Sequence, residues 1–109
     1  MTREQTGSVV NEVVEDLVDV EEYALAGKRP PRAKRYRIRI DKERYVVELS
    51  GMTGRELLVL AKKVPPEQWM LTQKLRGGEV KKIGLDETVD FTAPGVERFM
   101  TLPLDQTEG

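Results

Sequence analysis

Thr53-Gly54-Arg55-Glu56-Leu57-Leu58-Val59-Leu60-Ala61-Lys62-Lys63-Val64-Pro65-Pro66 is the stretch that decides the fold. Thr53 and Glu56 stand at capping-box spacing, so each side chain can cover the other's free backbone amide at a helix start. Leu57, Leu58, Leu60 and Ala61 then share one helical face. Lys62 and Lys63 suit the negative end of a helix dipole, and Val64-Pro65-Pro66 stops the helix. One helix fixed at both ends is therefore predicted, and its flanks decide what it packs on.

Upstream, Tyr36-Arg37-Ile38-Arg39-Ile40 alternates apolar and basic residues, the period of a half-buried strand. Asp41 to Arg44 turns the chain, and Tyr45 to Leu49 returns as the second arm of a hairpin. Downstream, Gln68 to Leu75 reads as a third strand, Arg76-Gly77-Gly78-Glu79 as a turn and Val80 to Ile83 as a short fourth strand. Asp86 to Pro94 is an irregular connection anchored by Val89 and Phe91, and Val96 to Leu102 is the last strand, closed by Pro103. The order of hairpin, helix, strand, short strand, loop and strand is α+β, one helix across one mixed sheet, with residues 34–103 as the domain. Its predicted core comprises Ile38, Ile40, Val47, Leu49, Leu57, Leu60, Trp69, Leu71 and Phe99.

Residues 1–33 form an arm of different character. Residues 1–27 carry seven acids against one base, whereas residues 28–39 carry seven bases and no acid. Such a switch marks an appendage joined to a domain. Val10, Val13, Val14, Leu17, Val20 and Ala24 nearly follow a helical period, so residues 9–25 are expected to form an amphipathic helix. Valine-rich and marginal alone, it would gain stability by laying its stripe into a groove, on its own domain or on a partner. Val10, Val13, Val14 and Leu17 are its candidate contacts with a partner. Gly27 to Ala33, with Pro30-Pro31, reads as a semi-rigid linker.

Composition narrows the chemistry. The chain of 109 residues has no Cys and no His. Disulfides, thiolate metal sites, a thiol nucleophile and the commonest general base are excluded. The acids form no spaced pair for acid–base work and no alternating oxygen set for calcium. A non-enzyme with no catalytic residue, no cofactor and no metal is expected. No apolar run approaches a membrane span and no secretory signal is visible, so a cytoplasmic location is expected. The chain closes on the polar tail Leu104-Asp105-Gln106-Thr107-Glu108-Gly109. A terminal glycine fits a narrow enzyme cleft because it lacks a side chain and adopts backbone angles closed to other residues.

The element order, with Pro65-Pro66-Glu67-Gln68 directly after the helix, resembles the β-grasp fold of ubiquitin. More closely, Tyr36 to Gly109 resembles the bacterial multiubiquitin family, ubiquitin-like domains encoded beside activating and conjugating enzymes. The blocks that carry the likeness are Tyr36 to Asp41, Thr53 to Leu58, Gly84 to Asp90, Pro94-Gly95-Val96-Glu97-Arg98-Phe99 and Thr101-Leu102-Pro103 with the tail; together they cover about two-thirds of the chain. The resemblance implies a ubiquitin-like β-grasp domain preceded by an arm, acting as a protein modifier. An adenylating activating enzyme would activate the Gly109 carboxylate, and a conjugating enzyme would pass it to a protein target through an isopeptide or ester linkage. Asp105, Gln106, Thr107 and Glu108 would be the residues those enzymes recognise, and a processing peptidase would join the partners if Gly109 is exposed by cleavage. Where ubiquitin ends in two glycines, Glu108 precedes the last one here, which implies a dedicated enzyme. A non-conjugated β-grasp adaptor and a sulfur carrier are the alternative readings.

Two other signals have plainer readings. Leu75-Arg76-Gly77-Gly78 repeats the letters that end ubiquitin, yet it lies between two predicted strands, where cutting would remove the last strand. A tight turn is the expectation. The basic run from Lys28 to Arg39 alternates with Tyr36, Ile38 and Ile40, the wet face of a strand. Its expected partners are acids, on another protein or on residues 12–22, and not nucleic acid.

Overall fold

The computed structural model describes residues 14–104. In chain order the elements are β1 (Glu15–Asp19), α1 (Val20–Leu25), β2 (Ala33–Ile40), β3 (Glu43–Val47), β4 (Gly51–Thr53), α2 (Gly54–Leu60), a 3-10 turn (Pro66–Gln68), β5 (Trp69–Leu75), β6 (Val80–Ile83), β7 (Thr88–Asp90) and β8 (Val96–Pro103). The α+β reading holds: a mixed sheet with α2 packed on it forms the ubiquitin-like domain, preceded by an N-terminal arm. The main sheet runs β1-β2-β8-β5-β6, with β3 also on β2; β4 and β7 form a separate two-stranded sheet.

The helix that decided the fold forms as its caps require. The Thr53 hydroxyl accepts from Glu56 N–H at 3.1 Å, and the Glu56 carboxylate accepts from Thr53 N–H at 2.9 Å. At the other end Lys62 takes a left-handed φ of 63° and Lys63 N–H donates to the Leu58 carbonyl, closing the last turn. Leu57 and Leu58 are fully buried. Gly54 sits so close to the Gly84 carbonyl that any side chain would clash. This close approach lets Arg55 N–H reach the Leu85 carbonyl and Gly54 N–H the Glu87 carbonyl, joining two blocks far apart in sequence.

Alternation in β2 buries Tyr36, Ile38 and Ile40 on one face. Phe91 fills the centre, entirely buried, with ring centroids 6.0 Å from Tyr36 and 6.5 Å from Phe99. The expected core residues Ile38, Ile40, Leu57, Leu71 and Phe99 are buried, while Val47, Leu60 and Trp69 are half-buried at its margin. Leu49 is corrected: it is 53% exposed, because β3 ends at Val47 and Leu49 falls past the strand. The connection from Asp86 to Pro94 contains β7, which pairs Met52 with Val89 across to β4 and buries both.

The arm requires a larger correction. Over its described part it is not one amphipathic helix but a strand followed by a short helix. β1 runs parallel to β2, with Val18 opposite Tyr36 and Asp19 opposite Arg37. Both β1 and β3 pair with residues 36 and 37 of β2, so they occupy opposite edges; β8 meets β2 only at Ile40, further along the edge that β1 uses. α1 then packs against β8 and β2. Val18, Val20 and Ala24 are each 1% exposed, so the arm closes on its own domain.

Candidate functional site at the root of the C-terminal tail

β8 is the last strand, and its end governs where the tail leaves the domain. It pairs antiparallel with β5 from Leu75 opposite Val96 to Trp69 opposite Pro103. On its other edge, Asp41 takes over where β2 stops. Asp41 has φ 56°, a left-handed conformation that aspartate tolerates better than most residues. Its N–H donates to the Phe99 carbonyl at 2.8 Å. Its carboxylate accepts from Thr101 N–H at 2.9 Å and from the Thr101 hydroxyl at 2.6 Å. The side chain thus supplies the acceptor that a longer β2 would have offered. Leu104 N–H donates to the Gln68 carbonyl at 2.9 Å, so backbone bonds hold the chain as far as Leu104.

The expected conjugation residue Gly109 and the recognition residues Asp105, Gln106, Thr107 and Glu108 lie outside the described residues, as do Val10 and Val13 of the arm. Of the other two arm candidates, Val14 is exposed and Leu17 half-buried. They do not join the buried set of Val18, Val20 and Ala24, which already has an occupant in this chain's own core. Asp19 was the missed signal. Its carboxylate accepts from Glu22 N–H at 3.1 Å and caps a helix that begins at Val20, with Glu21 and Glu22 in its first turn.

The charge blocks of the sequence meet across the strand pair. Asp19 lies 3.4 Å from Arg37, and Glu21 lies 3.2 Å from Arg39 and 3.6 Å from Arg44. Lys34 and Asp16 make a more exposed pair at 3.6 Å. The acids expected to face the basic run are thus those of the same chain. Glu21 is only 9% exposed overall, so its two guanidinium partners offset the desolvation of its carboxylate.

Near the start of α2, Arg55 joins Glu67 at 2.7 Å and Asp86 at 3.4 Å. These hydrogen bonds raise the guanidinium pKa, from Glu67 first and then Asp86. The Glu67 carboxyl is held below its usual range by its own backbone N–H and then by Arg55. This exposed triad ties the turn before β5 to the loop after β6. The turn between β5 and β6 forms as expected, with Gly77 and Gly78 at φ 97° and 98° and Gly78 N–H donating to the Leu75 carbonyl. Among the described residues, no helix is long and apolar enough to cross a membrane.

Neither a curated protein nor a solved structure matches the chain. The family model described as multiubiquitin matches residues 36–103, from Tyr36 in β2 to the end of β8. β1 and α1 lie upstream of that match. A ubiquitin-like domain whose last strand runs into the tail, matched over well more than half of its length, places this chain in the multiubiquitin family.

Proposed function

We propose that this chain is a protein modifier joined to its targets through the carboxylate of Gly109. The observation that carries the reading is the multiubiquitin match over residues 36–103, which ends where β8 hands the chain to the tail. In the first step the Gly109 carboxylate attacks the α-phosphorus of ATP on an adenylating enzyme, giving an acyl-adenylate and releasing pyrophosphate. A cysteine thiolate of the enzyme then attacks the acyl carbon and AMP leaves. After transfer to a conjugating enzyme, a target nucleophile displaces that thiol, an amine giving an isopeptide bond and a hydroxyl an ester. The chain is substrate and carrier in every step, so a lack of catalytic His or Cys in it is no obstacle.

Glycine suits the acyl end because each attack needs an open approach to the carbonyl. Incubation with a cognate adenylating enzyme and ATP, followed by mass spectrometry, is expected to show a covalent adduct at Gly109. Gly109→Val is expected to suppress transfer at least tenfold by crowding the carbonyl while leaving unfolding unchanged. If a demonstrably active enzyme leaves the wild-type chain unmodified, the reading gives way to that of a non-conjugated adaptor.

A further inference from the structure

A cleft of about 480 Å³ opens at the end of the sheet from which the tail departs. Ile40, Tyr45, Ala61, Trp69 and Pro103 give it an apolar floor and walls, and Glu43 and Lys63 stand among its charged lining residues. It is assembled from three separate parts of the chain: the β2–β3 turn, the C-terminal end of α2 and the paired ends of β5 and β8. Each part is fixed. The Asp41–Thr101 bonds hold the turn to β8, Lys63 N–H closes α2, and the Trp69–Pro103 pairing sets the far wall. The Lys63 ammonium lies 4.8 Å from the Trp69 ring centre, orienting the indole at the rim.

We propose that this cleft is a docking site for an apolar side chain of the adenylating enzyme that takes the tail. The proposal rests on the modifier reading and deepens it by naming the surface that the enzyme grips besides the tail. Reach carries the argument. The five residues Asp105 to Gly109 follow Leu104, and at full extension they span at most about 18 Å. An active site that encloses the Gly109 carboxylate therefore brings enzyme surface against the end of the domain where the cleft lies. Wall chemistry supplies the occupant. An apolar floor ringed by Glu43, Lys42 and Lys63 has the layout of an interface anchor pocket, dry at its centre and polar at its rim. Such a pocket checks the body of the modifier before its tail is activated.

The test uses the full chain and a cognate adenylating enzyme. Pyrophosphate exchange would be measured for wild type, for Ala61→Phe, which fills the cleft, and for Tyr45→Ala, which removes a wall; each variant's fold is checked by urea unfolding. The expected result is a KM for the chain raised about tenfold in both variants with kcat within twofold. In parallel, the single Trp69 indole resonance of ¹⁵N-labelled wild type would be followed as unlabelled enzyme is added. A shift or broadening of that resonance supports the proposal without any variant. If wild type is not adenylated, the modifier reading falls and this one with it. If wild type is adenylated while the indole resonance stays unperturbed, or while folded variants keep KM within twofold, the cleft proposal alone is overturned.

Discussion

Segments 15–25 and 53–63 both carry apolar residues near a helical period, yet only the second forms one continuous helix. The difference lies in their ends. α2 has a capping box in front and two prolines behind, so the local sequence defines where it starts and stops. The N-terminal segment has its cap in the middle, at Asp19, with β-branched Val18 and Val20 on either side of it. Residues before the cap go into a strand and residues after it into a short helix. Apolar spacing alone reports that a segment buries something; the caps report what it is.

The two regions also differ in what stabilises them. α2 brings a long apolar face and its own caps. β1 has five residues, and its strand exists because β2 offers an edge and Lys34 and Arg37 pair with its acids Asp16 and Asp19. Leu57→Ala should therefore destabilise the domain more than any change in the arm. Leu57 is fully buried, and truncation should cost about 2–5 kcal/mol in urea unfolding. A loss below about 1 kcal/mol would mean that α2 is not the centre of the core.

Val18→Ala sets the second region against the first. Val18 is 1% exposed beside Tyr36, so losing its two methyl groups should cost about 1–3 kcal/mol. An appendage independent of the domain would show no change. The measurement thus decides whether β1 unfolds together with the sheet or apart from it.

Legibility follows the range of the interactions. The hairpin, α2, β5, β6 and β8 were readable because their signals lie within a few residues: alternation, caps, prolines and the Gly77-Gly78 turn. β1 was not, because it is defined by a partner strand some eighteen residues later, from Glu15 opposite Ala33. The three-residue strands β4 and β7 were missed for the same reason, although Val89 and Phe91 were visible as anchors. At the candidate site, Gly109 lies outside the described residues, so its proposed role rests on its residue type and the family match. The cleft beside the tail was not legible, because Tyr45, Ala61 and Trp69 meet only after the sheet and helix have packed. Trp69 read as core in the sequence, and the structure leaves it half-buried at that rim.

The charge blocks allow a finer test of the comparison. Glu21→Gln removes the charge that Arg39 and Arg44 share while keeping the shape of the side chain. Because both arginines are partly exposed, a cost of about 1 kcal/mol is expected. In 1 M salt the difference from wild type should shrink in part, through the more exposed Arg44, since exposed charges are screened there within about 3 Å and buried ones much less. A difference indifferent to salt would show that the effect comes from the part-buried Arg39 hydrogen bond, which salt screens little, and not from the more exposed Arg44 pair.

The smallest expected effect concerns Asp90, in the β7 strand that local reading missed. Its carboxylate accepts from the Thr92 hydroxyl at 2.7 Å and from Thr92 N–H at 2.9 Å. These two bonds, the hydroxyl first, hold the carboxyl below its usual range, with the Arg29 charge adding to them and desolvation opposing. A group whose folded pKa is depressed contributes stability above its unfolded pKa, about 3.9, and loses it as pH falls through the folded value. Asp90→Asn should accordingly be less stable than wild type at pH 7, by about 0.5 kcal/mol because solvent screens this exposed group. The gap should close as the pH falls below about 4 and the wild-type carboxyl takes up its proton. Urea unfolding of both proteins at pH 7 and pH 3 checks this. A gap of equal size at both values would assign the effect to hydrogen-bond geometry around Thr92, with no contribution from the charge.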